Sequence, residues 1–239
     1  MPTYDQEILS HYKSVAENQS NDDSCTMDDK TIRKLETSFI LNSIASEIVN
    51  RGKNEKLKIS DYGCGNGYTI SKIFERFPGS QFSAFEYTPE LRDIANKRSD
   101  IPCEVLHCDL RNRETLPRDI NIVVCQRVLI NLLNESDQYD ALSNIIDSLS
   151  DNGLLISIEA FSSNLETLNL CRKELGLNSI PPAIHNKYLP DCFFDNNQLK
   201  KKVSEEGEDF LSTHYFITRV LHDVALKATG APFVRNSLF

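Results

Sequence analysis

Residues 57–67 have the sequence LKISDYGCGNG, in which a short apolar run passes directly into a glycine-rich turn. The run predicts a buried β-strand, and the residues that follow predict a helix. Glycines at 63, 65 and 67 let the backbone turn tightly and leave no side chain between the loop and a ligand. The N-terminus of the next helix presents free N–H groups. The segment therefore predicts a loop that binds a ligand through its backbone.

Strand-like runs alternate with amphipathic stretches on the C-terminal side of this turn. We predict strands at Leu57–Tyr62, Gln81–Glu86, Cys103–His107, Ile120–Gln126 and Leu154–Glu159. Helices are predicted at 69–77, 90–98 and 135–150, the last closed by Asp151-Asn152-Gly153, and an earlier helix runs from Asp28 to Asn50. This rhythm is typical of an α/β fold with a doubly wound, mainly parallel sheet covered by helices on both faces.

The two ends of the chain depart from this alternation. Residues 1–30 carry seven acids against two bases and are rich in Asn, Ser and Asp, which favours a mobile or conditionally ordered acidic arm. Residues 31–239 are predicted to form one domain, with an insert at about 161–195 that holds a helix near 164–175 and a proline-rich loop. A charged helix is predicted near 196–206. The segment 210–226 fits either a strand followed by a helix or a helix throughout.

Composition excludes several classes of function. No apolar run approaches the roughly 20 residues of a membrane span, and the N-terminus lacks the features of a signal peptide. The formal charge of -9 argues against a nucleic-acid partner. The seven cysteines are scattered and none has zinc-ligand spacing, so reduced thiols and no metal are expected. We predict a soluble, cytoplasmic monomer or homodimer without a membrane partner.

Three acidic residues follow or close three successive predicted strands. Asp61 precedes the glycine turn, Glu86 ends the second strand, and Asp109 follows the third. Since ligands bind at the carboxyl ends of parallel strands, Glu86 can accept from two ribose hydroxyls and Asp109 from an adenine amine. A turn-capping acid explains any one of them, but the three together favour a nucleoside ligand. A dinucleotide-binding turn needs glycine where Tyr68 stands, which disfavours a nicotinamide-dependent oxidoreductase.

At these residues the chain resembles the class I S-adenosylmethionine-dependent methyltransferases, over roughly residues 28–160. The resemblance implies a seven-stranded-type sheet, S-adenosylmethionine as cofactor and S-adenosylhomocysteine as product. It also implies that the loop and the strand ends hold the methionine part, the ribose and the adenine. The cofactor residues implied are Asp61, Gly63, Cys64 and Gly65 for the methionine part, Glu86 for the ribose, and Tyr87, Asp109 and Leu110 for the adenine.

A narrower resemblance concerns SCTMDDKTIRKLE at 24–36, CQRVLINL at 125–132 with Glu135 and Gln138, and the proline-rich loop that ends at Asn186. Together they resemble a bacterial branch of small-molecule methyltransferases associated with surface-carbohydrate or specialised-metabolite pathways. The resemblance implies a small-molecule acceptor, and we predict O-methylation of a small anionic or sugar-like metabolite. A nucleic-acid methyltransferase would typically have an Asn/Asp-Pro-Pro-aromatic motif where Gln126–Leu129 lie.

Candidate acceptor residues follow from charge and position. Arg127 follows the fourth strand and Arg33 lies on the helix from Asp28; either can bind the methionine carboxylate or an anionic acceptor, and surface arginine is the alternative. His185 is a candidate general base or an ordinary loop histidine. Tyr215 and Arg219 share one face if their segment is helical, although core packing would equally explain the tyrosine.

Methyl transfer from a sulfonium is an in-line displacement, so the protein mainly has to align the acceptor and exclude water. A general base is needed only where the acceptor atom carries a proton. The same residues would suit a catalytically silent subunit that binds S-adenosylmethionine in support of a partner enzyme. Turnover of a candidate acceptor separates these two possibilities.

Overall fold

A computed structural model describes residues 4–19, 25–52, 56–195 and 212–233. In these ranges the sheet has five parallel strands in the order β3-β2-β1-β4-β5. The strands are β1 Lys58–Tyr62, β2 Gln81–Phe85, β3 Val105–Leu106, β4 Ile120–Gln126 and β5 Leu149–Ile158. The predicted doubly wound parallel sheet is confirmed. Strand order reverses at β1, which places a crevice at the carboxyl ends of β1 and β4.

The register brings the predicted ligand residues to one edge. Tyr62, the last residue of β1, lies opposite Phe85 of β2 and Cys125 of β4. The segments that begin at residues 63, 86 and 127 therefore leave the sheet at nearly the same level.

Helices cover both faces of this sheet. They are α1 Tyr4–Gln19, α2 Lys30–Arg51, α3 Tyr68–Arg76, α4 Pro89–Asn96, α5 Glu135–Ser148, α6 Ser162–Glu174, α7 Ser212–Phe216 and α8 His222–Thr229. One π-helical turn, Ile217–Leu221, joins α7 to α8, so the described part of segment 210–226 is helical throughout. The charged helix predicted near 196–206 lies outside the described residues.

Alternate residues of β4 enter two hydrophobic cores. Ile122 and Val124 pack with residues of α2, α3 and α4, whereas Val123 and Cys125 pack with residues of α5. All four side chains are fully buried. A strand covered on both faces in this way is the usual state of parallel sheets and holds the site on a rigid support.

The segment Asp151-Asn152-Gly153 does not close a helix as the sequence predicts. Helix α5 already ends at Ser148, and β5 begins at Leu149 and runs through the segment. Asn152 has a φ of 59°, and the β4–β5 register shifts between Ile120 and Ile122. The turn residues therefore form an irregularity within β5, because a left-handed Asn can make a bulge as well as a helix end.

The N-terminal stretch contains helix α1 in the described residues. Its apolar side chains Tyr4, Ile8, Tyr12 and Ala16 recur every four residues, which is the spacing of one helix face. Tyr12 and Ala16 pack near Leu91 of α4. The predicted mobility of residues 1–30 stays a prediction, but α1 lies against the carboxyl edge of the sheet rather than away from it.

The structure also bears on membrane-spanning helices and on the cysteines. Among the described helices, none is both long and apolar enough to cross a bilayer. No disulfide joins the seven cysteines, all of which lie in the described ranges. Cys108 and Cys125 are buried in the apolar core, where a thiol acts as a small hydrophobic side chain.

Candidate functional site

Two neighbouring cavities open at the carboxyl edge of the sheet. The first, here the loop cavity, surrounds the glycine turn, and the second, here the arginine cavity, is lined by Arg127 and Arg219. The two cavities share a wall, formed by Tyr12, Thr26, Met27, Arg127 and Asn131. Adjacent cavities of this kind suit two ligands that react with each other.

The predicted cofactor residues and the predicted acceptor residues line different cavities. The loop cavity contains all nine predicted cofactor residues, which are Arg33, Asp61, Gly63, Cys64, Gly65, Glu86, Tyr87, Asp109 and Leu110. The arginine cavity contains all four predicted acceptor residues, which are Arg127, His185, Tyr215 and Arg219. Arg127 borders both.

Asp61 is a buried carboxyl group in β1, and it is 1% exposed. Its Oδ2 atom is buried and has no hydrogen-bond partner in the part of the chain that the structure describes. Burial, together with the nearby charge of Glu86, raises the pKa of Asp61 to about 7. A buried acceptor atom without a partner is costly, so Asp61 is suited to a cationic group of a ligand.

Glu86 ties the end of β2 to the glycine turn. Its Oε2 accepts a hydrogen bond from the Gly65 N–H at 2.8 Å, and its Oε1 accepts one from the Thr88 N–H at 2.8 Å. Burial raises the pKa of Glu86. The Thr88 side chain donates to Glu86 as well. A carboxylate has about four acceptor positions, so room remains for a hydroxyl donor while these contacts hold the group in place.

Gly65 has a φ of 58°, in the left-handed region that side chains disfavour. A Cβ atom at this position would lie 3.2 Å from Cγ2 of Thr26. Thr26 belongs to the wall that the two cavities share. The turn therefore leaves a space that a side chain at residue 65 would reduce.

Asp109 is held by Arg111, a residue that the sequence analysis missed. The Arg111 Nη2 atom lies 2.7 Å from Asp109 Oδ2, and the Arg111 N–H donates to Oδ1 at 3.0 Å. Burial alone would raise the pKa of Asp109, but the hydrogen bonds and charge of Arg111 outweigh it and lower the pKa. Arg111 Nη1 also contacts Tyr4 Oη at 2.7 Å and Asp5 Oδ1 at 2.9 Å, so it connects α1 to the loop cavity.

Arg33 is a buried arginine, 4% exposed, rather than a solvated surface side chain. Its Nη2 donates to Thr26 Oγ1 at 2.9 Å, and its guanidinium carbon lies 4.8 Å from the centre of the Tyr68 ring. Stacking on an aromatic face restrains the planar guanidinium. Arg33 thus provides a positive charge in the same cavity as Asp61.

Arg127 follows β4 in a left-handed conformation, with a φ of 55°. Its Nε donates to Oε1 of Glu36 at 2.9 Å, and its Nη2 donates to the Tyr215 hydroxyl at 3.0 Å. Glu36 lies on α2, is 0% exposed, and also accepts from Gln126 Nε2 at 2.6 Å. An arginine with unusual backbone geometry and a buried partner carboxylate is held in one position, so the surface alternative does not apply.

Tyr215 and Arg219 lie on one helix face, as expected for a helical segment. The Arg219 guanidinium carbon lies 5.7 Å from the Tyr215 ring centre, and its Nη2 lies 3.6 Å from Oδ2 of Asp29. His214 Nε2 contacts the same oxygen at 2.9 Å. Since π-helical turns often mark functional sites, the turn at Ile217–Leu221 agrees with a role for this face.

His185 stacks on His11 of α1, with ring centres 3.7 Å apart. Burial and the neighbouring His11 lower the pKa of His185 to about 4. The loop is anchored because the Lys187 N–H donates to the Ile130 carbonyl at 2.7 Å. A base with so low a pKa is a poor acceptor for the proton of a sugar hydroxyl at neutral pH.

Glu159 follows β5 and holds the turn after β4. It accepts hydrogen bonds from the N–H groups of Val128 at 3.1 Å and Leu129 at 3.0 Å. Burial raises its pKa to about 7. Its contacts thus stabilise the turn that carries Asn131, and they assign it a structural role.

Comparison with known proteins agrees with this geometry. Residues 59–153 match a family model described as a methyltransferase domain. Over these residues, which are less than half of the chain, the chain is similar to methyltransferase domains, in agreement with its resemblance to the class I S-adenosylmethionine-dependent methyltransferases.

Its relatives are distant. A malonyl-[acyl-carrier protein] O-methyltransferase of Bacillus anthracis is 22% identical over 171 residues, covering 70% of this chain and 60% of the relative. A trans-aconitate 2-methyltransferase of Escherichia coli O139:H28 (strain E24377A / ETEC) is 24% identical over 134 residues, covering 55% of this chain and 50% of the relative. The chain thus spans about half to three fifths of the length of these relatives.

A solved structure shares the fold. It is the N-methyltransferase NodS from Bradyrhizobium japonicum WM9 in complex with S-adenosyl-L-homocysteine, with a TM-score of 0.50 and 18% identity. The match covers 64% of this chain and 74% of NodS. At this identity the likeness concerns the fold alone.

Proposed function

We propose that this protein is an S-adenosylmethionine-dependent methyltransferase that methylates an oxygen of a small anionic acceptor. One observation carries the proposal: Asp61, with a buried and unpartnered oxygen among the described residues, lies in the same cavity as Arg33, Glu86 and Asp109. A carboxylate and an arginine together match the ammonium and carboxylate groups of an amino acid.

The residues of the loop cavity fit S-adenosylmethionine part by part. Asp61 would bind the ammonium group and Arg33 the carboxylate, while Gly63, Cys64 and Gly65 leave room beside them. Glu86 would accept from the ribose hydroxyls, and Asp109 from the adenine amine, with Tyr87 and Leu110 along the ring. When bound, S-adenosylmethionine supplies an electrophilic methyl group on a sulfonium.

The arginine cavity favours an anionic acceptor over a sugar-like one. Burial lowers the pKa of His11, and the pKa of His185 is about 4, so both histidines are weak bases. The Asp29 carboxylate, another possible base, is already engaged, because it caps α2 and contacts His214. Arg127 and Arg219 supply positive charge instead, and an ionised carboxylate oxygen needs no base. The malonyl and trans-aconitate acceptors named for the relatives contain carboxyl groups.

Finer aspects rest on the sequence alone. A role in a surface-carbohydrate or specialised-metabolite pathway, a cytoplasmic location, and a monomeric or homodimeric state are hypotheses from the residues and the narrower resemblance.

Calorimetric titration with S-adenosylmethionine, S-adenosylhomocysteine and NAD tests the cofactor. We expect saturable 1:1 binding of the two sulfur ligands and none of NAD; the opposite pattern would overturn the proposal. Formation of S-adenosylhomocysteine with short carboxylates, compared with neutral sugars, then tests the acceptor class. Cofactor binding without turnover on any acceptor would support the catalytically silent subunit.

Gly65→Ala is expected to weaken S-adenosylhomocysteine binding about 10-fold, because the left-handed φ and the Thr26 contact oppose a Cβ, at a cost of roughly 1–2 kcal/mol. Calorimetry measures the affinity and thermal denaturation the stability. Gly79→Ala is the control, since an added Cβ there has no atom within 4 Å. Wild-type affinity in Gly65→Ala would contradict the assignment of the turn.

Arg219→Ala is expected to raise the acceptor KM about 10-fold or more, because a hydrogen bond to a charged group is lost, with the affinity for S-adenosylmethionine unchanged. Steady-state kinetics with the best carboxylate found in the screen measures this. Arg118→Ala is the control, because Arg118 is exposed and lines neither cavity. If Arg219→Ala and His185→Ala both kept wild-type KM and kcat, the acceptor site would lie elsewhere.

A further inference from the structure

The wall shared by the two cavities limits where an acceptor can react. Transfer between two bound molecules requires their reacting atoms to approach within about 3–3.5 Å. A donor in the loop cavity and an acceptor in the arginine cavity meet this condition only at the common wall. The acceptor atom is therefore expected beside the five wall residues.

Tyr12, on helix α1, places a hydroxyl group in this wall. The hydroxyl oxygen accepts a hydrogen bond from Asn131 Nδ2 at 2.9 Å. No acceptor for the hydroxyl hydrogen occurs within the residues that the structure describes. Burial raises the pKa of Tyr12 to about 12, so the group stays protonated at neutral pH and keeps a hydrogen to donate.

The hydrogen bonds of Asn131 determine where the Tyr12 hydroxyl hydrogen can point. Its Nδ2 also donates to the Arg127 carbonyl at 2.9 Å, and because a carbonyl only accepts, the orientation of the amide is determined. Both amide hydrogens are then used, one toward Tyr12 and one toward Arg127. The Tyr12 hydrogen cannot point back at the Asn131 donor, so it is available to another partner.

We propose that Tyr12 is a catalytic residue whose hydroxyl donates a hydrogen bond to the anionic acceptor and orients its reacting oxygen toward the loop cavity. The proposal rests on the proposed function above and adds to it a residue from the N-terminal helix. Arg127 supplies the charge on the same wall, and Tyr12 supplies a directed neutral donor. Tyr12 retains its proton throughout, since a carboxylate acceptor brings no proton to be removed.

Helix α1 then completes the acceptor site. Hydrogen bonds from Arg111 to Tyr4 and Asp5 fix the position of this helix. The Asn131–Tyr12 hydrogen bond and the stacked rings of His11 and His185 fix it as well. These contacts hold α1 in place from its first turn as far as Tyr12.

Tyr12→Phe tests the proposal because it keeps the ring and removes only the hydroxyl. The probes are malonate, succinate, citrate and trans-aconitate, titrated by NMR into protein saturated with S-adenosylhomocysteine; kcat/KM is measured for each that turns over. We expect about 10-fold weaker binding of the carboxylates that bind the wild type, as for a lost hydrogen bond to a charged group. The Kd for S-adenosylhomocysteine should stay within about twofold.

Two matched variants accompany it. Tyr139→Phe should leave both affinities unchanged, because Tyr139 is exposed on α5 and lines neither cavity. Tyr4→Phe removes a hydroxyl from the same helix, but on the Arg111 side of the loop cavity. It should weaken S-adenosylhomocysteine binding and leave carboxylate binding within about twofold, because the Arg111–Asp5 and Asn131–Tyr12 contacts still hold α1.

Wild-type carboxylate affinity and kcat/KM in Tyr12→Phe would overturn the proposal. An equal loss of S-adenosylhomocysteine affinity would also overturn it, since Tyr12 would then belong to the loop cavity alone. The same holds if the S-adenosylhomocysteine-saturated wild type binds none of the four probes. Failure of the wild type to bind S-adenosylhomocysteine would instead overturn the proposed function itself.

Discussion

Asp61→Asn is expected to weaken S-adenosylmethionine binding by about 100-fold or more, because it replaces a buried carboxylate by a neutral amide opposite the ligand ammonium. The fold should survive, since Asp61 Oδ2 has no hydrogen bond to lose within the described residues. Calorimetry with S-adenosylmethionine and with S-adenosylhomocysteine, which carry the same ammonium group, measures the affinity. Asp119→Asn is the control, because Asp119 lies on the surface with a φ of 62°, which asparagine tolerates.

The same substitution changes how stability depends on pH. Burial raises the pKa of Asp61 from 3.8 in the unfolded chain to about 7 in the fold, so the ligand-free folded state binds the proton more tightly. The contribution of Asp61 to the folding stability of the ligand-free protein is most favourable below pH 4 and is lost as pH rises through 7. Asp61→Asn should therefore become increasingly more stable than the wild type between these values, as thermal denaturation at several pH values will measure.

Ligand affinity should follow the opposite trend. The ammonium group favours the ionised carboxylate, so the wild-type affinity for S-adenosylhomocysteine should rise as pH increases toward 7 and binding should release a proton. Calorimetry in buffers of different ionisation enthalpy detects that proton. Equal affinity of Asp61→Asn and wild type at pH 8 would contradict the role of Asp61.

The strands and the residues that line the loop cavity could be predicted because their signals are local. Glycines at 63, 65 and 67 and acids at strand ends lie next to the apolar runs that define the strands. Asp151-Asn152-Gly153 misled the prediction because the same residue types serve helix ends and bulges. Only the pairing of β5 with β4 decides between them.

The contacts that orient the site could not be predicted, because they join distant parts of the chain. Arg111 meets Asp5, and Asn131 meets Tyr12, more than 100 residues away in each case. Helix α1 did offer a signal in the four-residue spacing from Tyr4 to Ala16. The acidic, Asn-rich composition of residues 1–30 concealed it, since composition averages over a face that is apolar on one side only.

Glu36→Ala is expected to destabilise the protein by roughly 3–5 kcal/mol, because it leaves the Arg127 charge without its buried partner. At about 2–4 °C per kcal/mol for a chain of this size, the loss amounts to a clear fall in Tm. Thermal denaturation measures it. Glu75→Ala is the control: Glu75 pairs with Lys72 on the surface and is 70% exposed, so we expect a change under about 0.5 kcal/mol.

The double variant Glu36→Leu with Arg127→Met separates the charge effect from simple loss of packing. Removing both charges of a buried pair leaves neither unpaired, so this protein should be more stable than Glu36→Ala. It should nevertheless lose turnover, because Arg127 borders both cavities and supplies positive charge at their common wall. If the double variant were as unstable as Glu36→Ala, the buried pair would matter through packing alone; if it kept wild-type turnover, Arg127 would have no part in binding either ligand.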